Sequence, residues 1–131
     1  MKERIVNLVS IAVGAGIGTL LRFILATGFS TGYPMGTFLA NIIGSFVLGA
    51  LTGWFMYRIP KEWVRLGLGV GLCGGFTTMS TLAADTVFLL ENHLLQAVIY
   101  VSSSLLGGIV CALIGYSFTT KLSRRKEVGD S

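Results

Sequence analysis

The stretch Gly74 to Asp85, GGFTTMSTLAAD, decides how this chain is read. Two adjacent glycines and four hydroxyls (Thr77, Thr78, Ser80 and Thr81) fall inside a long apolar segment. Glycine weakens a helix by about 1 kcal/mol per residue. The glycine pair and the hydroxyls together predict a break in a helix that is otherwise suited to a membrane. Such a break exposes backbone carbonyls, which is tolerated at membrane depth only under the cover of protein or a cavity. Carbonyls freed in this way suit a small cation.

Outward from that segment the whole chain has membrane character. It is 131 residues long, 53% hydrophobic and only 12% charged, with mean hydropathy +0.77. A soluble domain carries roughly a quarter of charged residues. A span needs roughly 20 apolar residues, and four stretches meet that length: residues 5–29, 37–57, 64–90 and 94–118. The expected fold is therefore all-α, a single domain of four transmembrane helices with a broken third helix and a polar, frayed tail over 121–131. The apolar runs are continuous, without the alternation of a barrel strand. Turns are expected at STGYP, around Pro60 and at 91–93, with Trp54, Tyr57 and Trp63 as interfacial anchors. Cys73 and Cys111 fall inside spans and read as small apolar residues, not as a disulfide or metal pair.

Charge sets an expected orientation. Four spans put both ends on one side, together with Lys2, Arg4, Arg58, Lys61, Arg65, Lys121, Arg124, Arg125 and Lys126, nine of the ten basic residues. The positive-inside rule then places both termini in the cytoplasm. The net charge of +4 serves orientation and, at the C-terminal run, contact with anionic lipid. No soluble basic domain exists to bind nucleic acid. Arg22, the tenth, sits inside the end of the first span. It either snorkels to the outer interface or serves function there.

The polar residues at depth form stripes. On the second span Thr37, Asn41 and Ser45 recur every fourth residue and are continued by Gly49 and Gly53. Asn41 offers either an interhelical hydrogen bond or an N–H donor for an anion. On the third span Thr78, Thr81 and Asp85 share a face, with Met79 and Leu82 on an adjacent one. On the fourth, Tyr100, Ser104 and Gly108 form another stripe. Gly14 and Gly18 allow close helix approach. Three polar stripes without an acid or base at mid-depth fit a lined pathway. His93 lies in a loop, so no nucleophilic or metal chemistry is equipped and no enzyme is expected.

The motifs GTFLANIIGSFVLG and GLCGGFTTMST, with LLR at Leu20–Arg22 and with Tyr100 and Ser104, closely resemble the Fluc/CrcB family of fluoride channels over nearly the whole chain. The resemblance implies an antiparallel dimer in a microbial cell membrane, passing fluoride passively outward along two pathways built from both subunits. It implies a structural Na+ at the dimer interface, held by the backbone carbonyls of Gly74 and Thr77. Asn41, Ser80 and Thr81 map to the pathway, Arg22 and Asp85 to the vestibule. Thr37, Met79, Leu82, Tyr100 and Ser104 complete the expected lining.

Two features depart from the family pattern. Met79 and Leu82 stand where family members usually carry phenylalanines, and Gly108 where many carry serine. The one-sided basic charge should also fix a single orientation, whereas an antiparallel homodimer needs both. These departures favour one half of an antiparallel heterodimer with a homologous subunit over a homodimer. A structural or regulatory subunit with a degenerate pore is the main rival. A small multidrug exporter is the other, and the first span lacks the carboxylate that one would need.

Overall fold

The computed structural model describes residues 1–29 and 32–129. Ser30 and Thr31 of the expected STGYP turn, Asp130 and Ser131 of the tail, and the Lys126 side chain lie outside the described residues. Among the described residues, four helices are long and apolar enough to cross a membrane. The first, α1, is Lys2–Gly28 and the second, α2, is Met35–Tyr57. The third span, Glu62–Asn92, is assembled from pieces. These are a single turn α3 (Glu62–Arg65), a π-helical stretch Leu66–Cys73, a short α4 (Gly74–Phe76) and α5 (Met79–Asn92). The fourth, α6, runs from Leu94 to Gly129.

The third helix is broken, but not at the glycines. Gly74 and Gly75 are helical, and the interruption falls at Thr77 and Thr78, whose backbones are extended with ψ of 158° and 125°. Tertiary packing gives the reason. A Cβ on Gly75 would collide with the backbone of Ala15. Gly67 and Gly71 likewise face Ser10 and Ile11–Gly14. Reciprocally, Gly14 meets Gly67 and Leu72, and Gly18 meets Leu72 and Phe76. Two small-residue stripes, Ser10/Gly14/Gly18 and Gly67/Gly71/Gly75, thus interlock backbone to backbone. Small residues at every fourth position are what close helix approach in a membrane requires. Gly75 therefore serves packing and stays helical.

The other major pair is α2 with α6, again at glycines. Gly49 abuts the backbone of Ala112, Gly115 abuts Phe46, and Gly53 meets Tyr116. The lower half of the stripe that begins with Thr37 and Asn41 is thus a packing surface. Ser10 donates a hydrogen bond to the Trp63 carbonyl, which sets the start of α1 beside the start of the third span. The start of α1, the end of α2, the start of the third span and the end of α6 therefore share one end of the bundle. The described basic residues other than Arg22 gather there.

Near the opposite end sits a small core of Leu82, Leu89, Ala97 and Tyr100. Tyr33 packs its ring edge-on to Tyr100, at a centroid distance of 5.8 Å. Both cysteines are free. The tail expected to fray continues α6 as far as Gly129. Lys121, Leu122, Arg124 and Arg125 in this stretch are good helix formers.

Candidate ion pathway at the broken span

The break is held open by a side chain. Asn41 Nδ2–H donates to the Thr78 carbonyl at 3.0 Å, and the Thr78 N–H donates to Asn41 Oδ1 at 2.7 Å. An asparagine thereby replaces the helical partners of an extended residue. One of its two N–H donors remains for other use. Sequence reasoning posed a choice between interhelical glue and an anion donor; the structure shows the first and leaves a donor for the second.

The same rearrangement strips two carbonyls of their usual donors. In a continuous α-helix the Gly74 carbonyl accepts from the N–H of residue 78 and the Thr77 carbonyl from that of residue 81. Here the Thr78 N–H is committed to Asn41. The Thr81 N–H is committed to the Thr78 hydroxyl, at 3.2 Å, which caps the start of α5. The Gly75 carbonyl has a different fate. It accepts from Arg22 Nε at 3.3 Å and from the Thr19 hydroxyl at 3.4 Å. Arg22 also donates from Nη1 to the Thr81 hydroxyl, at 3.3 Å. The arginine of α1 therefore turns inward and braces both sides of the break. Sequence reasoning offered Arg22 as a snorkelling or vestibule residue and missed Thr19. Their spacing of three, which puts both on one helical face, was the available signal.

Two cavities flank the break. The larger, of about 510 Å³, is walled by α2, α6 and the third span. Its polar lining comes from Asn41, Ser45, Thr77, Thr78 and Ser104, and Gly74 contributes backbone. Among the described residues, no charged one lines it. It opens on the side of Met79, which is 69% exposed, and of Leu105 and Ile109. A Cβ on Gly74 would meet nothing within 4 Å, so this glycine looks into open space where Gly75 looks into α1. Leu82 reaches the cavity wall but is otherwise core, at 5% exposure. Ser104 is 4% exposed, and its hydroxyl has no hydrogen-bond partner among the described residues.

The second cavity, of about 390 Å³, lies at the end away from the basic residues and includes Thr37, Thr81 and Asp85 in its wall. Asp85 accepts from the Tyr100 hydroxyl at 3.0 Å. Tyr100 itself is fully buried and lines neither cavity. The Ser80 hydroxyl lies 3.2 Å from that of Thr78, and Ser80 also lines neither cavity. The expected site residues therefore divide. Asn41, Thr77, Met79, Leu82, Gly74 and Ser104 meet at the larger cavity, and Thr37, Thr81 and Asp85 at the smaller, with Arg22 bound to Thr81 between α1 and the break. Among the described residues no three His, Cys, Asp or Glu side chains gather to hold a metal. Backbone oxygens are the hard ligands on offer.

The sequence has known relatives. Residues 9–116 match the model of the CrcB-like protein, Camphor Resistance (CrcB) family. The chain is 53% identical to the fluoride-specific ion channel FluC 2 of Halalkalibacterium halodurans, over 100% of both chains. It is 44% identical to the fluoride-specific ion channel FluC 2 of Bacillus subtilis, over 81% of this chain and 82% of that one. It is 40% identical to the fluoride-specific ion channel FluC of Methanopyrus kandleri, over 83% and 86%. A match over residues 9–116, reaching into all four spans, makes this chain a member of the CrcB-like family.

Proposed function

We propose that this chain is a subunit of a passive, fluoride-selective channel that lets cytoplasmic fluoride leave the cell. The observation that carries the reading is the Asn41-braced break, which lies in the wall of an uncharged cavity and leaves one Asn41 N–H uncommitted. A small anion gives up tightly held water on entering a pore. Amide and hydroxyl donors can replace that water without binding so hard that the ion cannot leave. Asn41 and Ser104 supply such donors in the larger cavity, and Thr37 and Thr81 in the smaller, which acts as a vestibule together with Asp85. Arg22 holds Thr81 in place. With both termini in the cytoplasm, an inside-negative potential drives the anion outward by about 2.3 kcal/mol per charge per 100 mV.

The residues at the break fit a structural Na+. The carbonyls of Gly74 and Thr77 have lost their helical donors, and carbonyl oxygen suits a hard monovalent cation. Gly74 and Thr77 would hold it, and its positive charge would lower the cost of an anion nearby. An opposed copy of the break would supply the remaining oxygens.

That opposed copy belongs to an antiparallel dimer. The basic residues crowded at one end of the bundle fix a single orientation, so the partner is a homologous subunit inserted the other way. The test is fluoride efflux from liposomes, read with a fluoride electrode. The chain alone should release no more than empty liposomes, and the chain with its paired homologue should release fluoride rapidly. Rapid efflux from the chain alone overturns the heterodimer and keeps the channel. Silence from the pair overturns the channel.

A second reading has one observation in its favour. Met79 and Leu82 give the cavity aliphatic walls with no donor character. A scaffolding subunit beside a conducting partner would tolerate that. Asn41→Asp in this chain alone, within the pair, separates the two: unchanged flux assigns scaffolding, lost flux assigns a working pathway.

A further inference from the structure

The cavity contains a hydroxyl that the fold leaves unused. Ser104 lines the cavity, and its Oγ is buried and finds no partner among the described residues. An unsatisfied buried hydroxyl costs stability and calls for a ligand, an ion or a water. One helical turn further along α6 stands Gly108, which offers no hydroxyl. The space beside it is taken from across the groove. A Cβ built on Gly108 would lie 3.2 Å from Ser45 Oγ of α2 and 3.9 Å from Ser45 Cβ. Ser45 also lines the cavity, one turn below Asn41.

We propose that Ser45 and Ser104 form a two-hydroxyl subsite for a small monovalent anion, with Ser45 delivering from α2 the donor that α6 lacks at Gly108. The inference rests on the channel reading above and adds to it a residue and a place. The chemistry is favourable on three counts. Both groups are neutral and can donate. Among the described residues no carboxylate lines the cavity to repel an anion. Among the described residues, the other polar groups in its wall are the Asn41 amide, the threonines of the break and the Gly74 backbone, so Ser45 and Ser104 are its hydroxyls away from the break.

The test is a relocation of the hydroxyl, measured in the assembly that conducts. Ser45→Ala and Ser104→Ala should each lower fluoride efflux about tenfold, and the double variant should be little worse than either single, because both contact one ion. Ser45→Ala combined with Gly108→Ser moves the hydroxyl from α2 to α6. The new Cβ then faces the Cβ of residue 45 at ordinary contact distance, so flux should return to within about threefold of the unsubstituted channel. A residue that matters only for packing is not rescued in this way. Fluoride-dependent protection against heat unfolding gives a second readout, which should weaken in Ser45→Ala and return in the relocated variant. If efflux is present and Ser45→Ala leaves both readouts unchanged, or if the relocated variant stays as impaired as Ser45→Ala, the subsite is wrong and the channel reading stands. If the unsubstituted assembly passes no fluoride, both fall together.

Discussion

Asn41 and Thr78, 37 residues apart, exchange two hydrogen bonds, so that one side chain substitutes for the helical partners of an extended residue. The break in the third span is therefore imposed from α2. In Asn41→Asp the carboxylate has no N–H for the Thr78 carbonyl and sets a negative charge beside the cavity. Fluoride efflux should fall at least about a hundredfold, combining a lost charge-free donor with repulsion of the anion. Asn41→Ala should lower stability by about 1–2 kcal/mol, read as a shifted melting temperature in detergent.

The adjacent glycines should respond oppositely. Gly75→Ala drives a Cβ into the Ala15 backbone and should cost about 1–3 kcal/mol, because overpacking at a backbone contact has no flexible side chain to yield. Gly74→Ala meets nothing within 4 Å and should be neutral or slightly stabilising for the helix. Thermal unfolding of the two variants side by side checks this. A destabilised Gly74→Ala with an unchanged Gly75→Ala would contradict the packing described.

Much of this molecule can be read from its residues, and the parts that cannot share a cause. Four spans follow from hydropathy, and the polar stripes on spans two to four follow from spacing. The broken third span also follows from GGFTT, but its position does not. Whether Gly74–Gly75 bends or packs depends on what faces it, and α1 faces it some 56 residues earlier in the chain, where Thr19 meets Gly75. The same holds for Arg22. Its position near a span end is plain in the sequence, whereas its inward direction is set by the Gly75 carbonyl. The glycines every fourth residue, Gly14 and Gly18 on α1 and Gly67, Gly71 and Gly75 on the third span, were the local signals of that contact.

Arg22 should be hard to replace. Its planar guanidinium contacts the Gly75 carbonyl and the Thr81 hydroxyl from two different nitrogens. Arg22→Lys keeps the charge but offers a single nitrogen, and should recover only part of the flux lost in Arg22→Gln. Efflux rates of the three proteins, normalised to the amount reconstituted, check the order Arg, Lys, Gln. Equal rates for Lys and Gln would show that charge contributes nothing there.

At the far end, Tyr100→Phe removes the hydrogen bond to Asp85 while keeping the edge-on ring contact with Tyr33. The cost should be about 0.5–1.5 kcal/mol. Tyr100→Ala, which empties a fully buried site, should cost about 3–5 kcal/mol. A double-mutant cycle of Tyr100→Phe with Asp85→Asn should return a coupling of about 1 kcal/mol.

The pairing of α2 with α6 has a consequence for how the protein is made. The glycine face of α2 has its main partner in the fourth span, so that face has nothing to pack against until residues beyond Leu94 are made. The first and third spans can interlock earlier, through their small-residue stripes, and hold half of the bundle together meanwhile. A chain that stops before the fourth span leaves both a glycine groove and one wall of the larger cavity without cover.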